Sequence, residues 1–70
     1  MQPTIQISVN GEPKSLEPPT TLRALIEQLG LGQAAVAAEV NKTLVPRRDH
    51  DATTLADGDS VELVTLVGGG

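Results

Sequence analysis

The sequence contains no cysteine and no phenylalanine, tyrosine or tryptophan. The first absence removes disulfides and thiolate metal sites as sources of stability. The second removes the aromatic platforms on which single-stranded nucleic acids stack. Basic residues are also scarce, five against nine acidic ones, and the net charge of −4 lacks the positive footprint of a phosphate-backbone binder. A mildly acidic surface suits solubility and docking onto basic partner surfaces instead. No apolar run approaches a membrane span, and "MQPTIQISVN" has neither the basic start nor the apolar core of a secretion signal. No nucleic acid or membrane partner is expected, and the cytoplasm is the default location. What remains is 70 residues with an aliphatic core of Leu, Val, Ile and Ala. One small domain is implied, and a chain of this size buries only roughly 60% of its unfolded surface. Short aliphatic groups must therefore pack closely in a simple layered fold.

"IQISVN" alternates strictly, with Ile5, Ile7 and Val9 on one face and Gln6 and Ser8 on the other, as a half-buried strand requires. It enters Asn10-Gly11, a hairpin signal because both residues tolerate positive φ. "EPKSLE" returns as a second strand, with Pro13 indicating an edge and Pro18-Pro19 closing it. "TTLRALIEQLG" is the one clear helix: Leu22, Leu25, Ile26 and Leu29 form an apolar stripe. Thr20 or Thr21 is the N-cap, Gly30 takes the left-handed position past the end, and Leu31 follows as its apolar contact. Val36, Ala38 and Val40 alternate as a short buried strand over 36–40. "KTLVP" is a brief strand stopped by Pro46. "RRDHDATTLADGD" is polar connection with a helical turn expected near Thr53–Leu55 and a tight turn at Asp57-Gly58-Asp59. "SVELVTLV" closes the domain, with Val61, Leu63, Thr65 and Val67 on one face and Glu62, Val64 and Leu66 on the other.

A hairpin, a helix, two short strands and a long last strand form the β-grasp order, an α+β class. A mixed sheet of four to five strands with one main helix packed on one face is expected. The right-handed crossover puts the first and last strands parallel at its centre. The domain runs over residues 1–66, and a Gly-rich tail over 67–70 ends the chain.

Several residues invite a chemical reading and receive a plainer one. His50, between two aspartates and without a second ligand at suitable spacing, reads as a solvated loop histidine. Asp57 and Asp59 flank a turn glycine and read as turn residues, since no nucleophile or base accompanies them. Arg47 and Arg48 read as a solvated pair, with Arg47 able to dock an acidic patch of a partner. Val64 and Leu66 lie on the face away from the helix, close to the tail, and are candidates for a partner-binding patch together with Val67. No nucleophile–base pair, metal constellation or phosphate loop is present in the sequence.

The features "VNGE", "TLRALIEQLGL", "VAAEVNKTLVPR", "LADGDSVELV" and the glycine end together resemble the small ubiquitin-like sulfur carriers, and among them the thiamine-biosynthesis carriers, over nearly the whole chain. The resemblance implies a protein substrate rather than an enzyme, with no bound cofactor. An E1-like adenylating enzyme would use ATP and Mg²⁺ to activate the carboxylate of Gly70. Sulfur from a cysteine persulfide would convert it to a thiocarboxylate, and thiazole synthase would take the sulfur. The role carries over to Gly69 and Gly70. Gly68 stands where relatives have Ala or another small residue, and it lengthens the reach of the tail. A molybdopterin-synthase-type carrier, a ubiquitin-like modifier and a β-grasp binding module with an inert tail are the alternatives.

The chemistry of activation wants such an end. A carboxylate oxygen is a poor leaving group, and AMP is a good one. Glycines present the narrowest chain to an enzyme tunnel and leave the carbonyl carbon unshielded. Three extended residues reach at most ~10–11 Å, enough to enter a cleft while the folded body stays outside. The lack of cysteine fits as well, since an internal thiol could strip the cargo by acyl exchange.

Overall fold

The computed structural model describes residues 3–66. Its elements are β1 (Ile5–Val9), β2 (Glu12–Leu16), α1 (Leu22–Gln28), β3 (Val36–Val40), β4 (Thr43–Val45), a 3-10 helix (Arg47–Ala52) and β5 (Ser60–Thr65). The sheet order is β2-β1-β5-β3-β4, with β1 and β5 parallel at the centre and the other pairings antiparallel. This is the expected β-grasp arrangement, with all five strands present.

Local chemistry accounts for most of the boundaries. The β1–β2 hairpin turns on Asn10 (φ 52°) and Gly11 (φ 85°), the two consecutive positive angles that a two-residue turn matched to strand twist demands. Pro13 lies on β2, an edge strand, where its missing N–H is tolerated. Thr21 caps the helix, its hydroxyl accepting from the Ala24 N–H at 3.1 Å. At the other end, Gly30 (φ 79°) donates to Glu27 O and Leu31 donates to Ile26 O, each at 3.0 Å. That pair of bonds satisfies two otherwise orphaned carbonyls and turns Leu31 back onto the core.

The buried core consists of Ile7, Leu16, Leu22, Leu25, Ile26, Ala38, Leu55, Val61 and Leu63. Leu29, expected in the apolar stripe, is 38% exposed. It is the C-cap rather than a helical residue (ψ 3°), and Leu31 packs in its place. The helical turn expected near Thr53–Leu55 forms earlier, at Arg47–Ala52, started by the Asp49 N–H donating to Pro46 O at 2.8 Å. Residues 53–55 are instead held straight against the helix start. Leu22 N–H donates to Thr53 O at 2.8 Å and Leu55 N–H to Thr20 O at 2.9 Å, which delivers Leu55 into the core.

His50 is not the solvated loop histidine its flanking aspartates suggested. It is buried, with its Nε2–H donating to Val45 O at 3.0 Å. The 3-10 turn points it inward, and one carbonyl satisfies the ring nitrogen that would otherwise carry a desolvation cost. Thr65, placed in the helix-facing row by alternation, is exposed, because it pairs with Val36 at the far end of the sheet.

Candidate functional site

The register between strands places side chains on the two faces of the sheet. Val61 and Leu63 of β5 and Ala38 of β3 point to the helix and are buried. Alternation turns Glu62 and Val64 of β5, with Ala37 and Glu39 of β3, to the open face. Ala37 pairs with Val64, Glu39 with Glu62, and Glu39 also with Leu44 of β4. The face therefore exposes Val64 (58%) and Leu66 (59%) next to Ala37, while Leu44 (64%) stands apart on β4, beside Glu39. Leu66 lies just past β5, its N–H donating to Ala35 O at 2.8 Å, so the pairing with the β3 side continues one step beyond the strand.

Two features suit this face to a partner. Exposed aliphatic side chains such as Val64 and Leu66 are stabilised by removal from water. Glu39 and Glu62 stand directly opposite each other, an arrangement of like charge that is unfavourable until a cation approaches. The face thus combines exposed aliphatic side chains with two facing carboxylates. Leu44 had no functional reading from the sequence. The signal was its place between Thr43 and Val45, which turns it away from the core-packed Val45, but only the β3–β4 register puts it beside Glu39.

The structure separates Arg47 from that face. It lines a small cavity of about 80 Å³ on the helix side, with Arg23, Ile26, Glu27, Leu31, Val36 and His50 among its neighbours. Arg23 in this cavity pairs with Glu27 at 3.3 Å, both exposed, one helical turn apart. Arg48 is exposed on the same 3-10 helix. Val67, Gly68, Gly69 and Gly70 lie outside the described residues. Asp57 and Asp59 do turn work. Asp57 Oδ1 accepts from the Gln6 N–H at 2.7 Å, and Asp59 accepts from the Ala56 N–H at 2.8 Å and from Asn41 Nδ2 at 3.0 Å, around Gly58 at φ 90°. Among the described residues no group of three or more His, Cys, Asp or Glu could hold a metal, and no helix is long and apolar enough to cross a membrane.

Comparison with known proteins agrees with this geometry. The ThiS family model matches residues 7–70. A thiamine biosynthesis protein (ThiS) from Geobacter metallireducens has a crystal structure that superposes with a TM-score of 0.78 at 35% identity, covering 94% of this chain and 100% of that one. The sulfur carrier protein ThiS of Escherichia coli is 32% identical over 66 residues, 94% of this chain and 100% of that protein. A thiazole synthase from Magnetococcus marinus is 41% identical over 66 residues, which are 94% of this chain but only 20% of that protein. Five strands in β-grasp order around one helix, a family match running to the last glycine and a full-length structural neighbour lead to one conclusion: the chain belongs to the ThiS family.

Proposed function

We propose that this protein is a sulfur carrier of thiamine biosynthesis, acting as a protein substrate and not as an enzyme. The observation that carries the reading is the extent of the family match, which runs through residue 70 and so includes the glycine end. In this reading the carboxylate of Gly70 attacks the α-phosphorus of ATP, held with Mg²⁺ by an E1-like activating enzyme, and pyrophosphate leaves. The outer sulfur of a partner's cysteine persulfide then displaces AMP to give an acyl disulfide. A second partner thiol attacks the cysteine sulfur, forming a partner disulfide and releasing the thiocarboxylate, so that one carboxylate oxygen is replaced by sulfur. Gly69 and Gly68 admit the tail to the activating site. Thiazole synthase is the acceptor, a pairing supported by the Magnetococcus marinus thiazole synthase that contains a segment similar to this chain. These steps belong in the cytoplasm, where ATP and the persulfide donor are both available.

The open face of the sheet would seat the body of the carrier through Val64 and Leu66, with Val67 contributing next to the tail, while Arg47 meets an acidic group from the helix side. Val64→Asp should therefore weaken docking while sparing the fold. The site is exposed, so thermal stability should change by less than roughly 0.5 kcal/mol. The KM of the activating enzyme for the carrier should rise about tenfold or more, because the added carboxylate is desolvated beside Glu39 and Glu62. An unchanged KM would remove this face from the interface.

Intact mass decides the central claim. After incubation with ATP, Mg²⁺, a matching activating enzyme and a persulfide source, the chain should gain the difference between one sulfur and one oxygen. Removal of Gly70 should abolish the gain. An unchanged mass beside a working control carrier would overturn the reading, and lysine conjugates in its place would indicate a ubiquitin-like modifier.

A further inference from the structure

Strand β5 leads to the tail, and its two edges are held differently. On the β3 side, pairing runs from Val40–Val61 to Val36–Thr65 and on to the Leu66–Ala35 bond. On the β1 side, the parallel ladder pairs only Ser8 with Ser60 and Val9 with Val61. It ends with the Asn10 N–H donating to Val61 O at 2.8 Å. The chain of β1 then turns away at Asn10-Gly11, just where the Leu63 peptide needs a neighbour.

The side chain of Asn10 fills that place. Leu63 N–H donates to Asn10 Oδ1 at 2.8 Å, and Asn10 Nδ2 donates to Leu63 O at 3.2 Å. A carboxamide offers the same donor and acceptor as a backbone peptide, so it lengthens the ladder by one step. Both bonds are partly buried and join residues 53 apart in sequence. Beyond Leu63, no backbone hydrogen bond to a described residue holds this edge.

We propose that Asn10 is a positioning residue for the tail: its carboxamide clamps the Leu63 peptide on the β1 side of β5 and, opposite the β3 pairing, steadies the segment that leads to the tail. The inference rests on the carrier reading and deepens it. Asn10 meets two demands at once, since the turn requires a residue tolerant of φ 52° and the clamp requires both a donor and an acceptor. Glycine meets only the first. Aspartate lacks the donor and would bring a carboxylate against Leu63 O.

Because the carrier is a substrate, its kinetics separate positioning from folding. A variant that merely unfolds presents less competent substrate, which raises apparent KM and leaves kcat unchanged at saturation. A loosened tail root still docks through the open face but delivers the carboxylate less often in reacting geometry, which lowers kcat. Asn10→Gly, which preserves the turn, and Asn10→Asp should each lower kcat for thiocarboxylate formation by at least about fivefold. KM should stay within about twofold of the original. Hydrogen exchange should accelerate more at the Leu63 amide than at Leu25, which reports global opening. A kcat within about twofold of the original in Asn10→Gly, or an unaltered Leu63 exchange rate, would overturn the proposal. If the original chain takes up no sulfur beside a working control, the carrier reading falls and the inference with it.

Discussion

Gly69→Val should abolish thiocarboxylate formation while leaving the domain folded. A glycine has no side chain, so this substitution deletes no side-chain contact. Far-UV circular dichroism should give the same melting curve. A branched side chain one residue from the reacting carbon would crowd any tunnel narrow enough to select glycine. A displacement of about 1 Å from productive geometry costs on the order of 10²-fold in rate. The variant keeps the open face with Val64 and Leu66, so it should compete with the original chain for the activating enzyme. Sulfur uptake at a normal rate would show that steric access is not the reason for the glycines. Failure to compete would place the docking determinants in the tail rather than on the sheet.

Leu25→Ala should leave most of the chain unfolded at 37 °C. Leu25 is fully buried, in a core with no aromatic side chain to share the load. Deleting a buried isobutyl group and leaving a cavity costs about 2–5 kcal/mol. A core of this size rarely supplies more than about 3–5 kcal/mol in total. In a domain of this length each 1 kcal/mol moves Tm by roughly 4–8 °C, so a fall of at least about 8 °C is expected. The measurement is circular dichroism, because the chain has no tryptophan or tyrosine to follow by fluorescence. Leu29→Ala is the control. It removes the same atoms from a partly exposed C-cap and should cost less than about 1 kcal/mol. Equal losses at the two positions would contradict the packing described here.

The contrast between those leucines shows how far sequence pattern reaches. Leu22, Leu25, Ile26 and Leu29 share one spacing, and spacing alone assigns them one face. Gly30, however, ends the helix one residue too early for Leu29 to follow the others, and Leu31 comes back in its stead. The signal was present in the glycine, but its consequence depended on where the helix sits over the sheet. His50 is a sharper case. Its aspartate neighbours are local and point to solvent, whereas its burial depends on the 3-10 turn presenting it to Val45 O. The helical turn itself belonged to residues 47–52, because Leu55 was claimed by the core and by Thr20. In the candidate site, the exposure of Val64 and Leu66 was legible from alternation along one strand. Leu44 was not, since its place beside Glu39 comes from the β3–β4 register.

What the sequence by itself determined are features that act over a few residues. They include the period-two strands, the left-handed turn at Asn10-Gly11, and the capped start and glycine stop of the helix. Each follows from dihedral preference or side-chain periodicity, which hold wherever the segment lies. Only the tertiary structure decided that Glu39 faces Glu62, that Ala37 lies beside Val64, and that the amide of Asn10 closes the ladder at Leu63. Those pairs lie between about twenty and more than fifty residues apart in the chain. No local preference brings such residues together. Burial of the shared aliphatic core sets the strand order and register, and these contacts come with it.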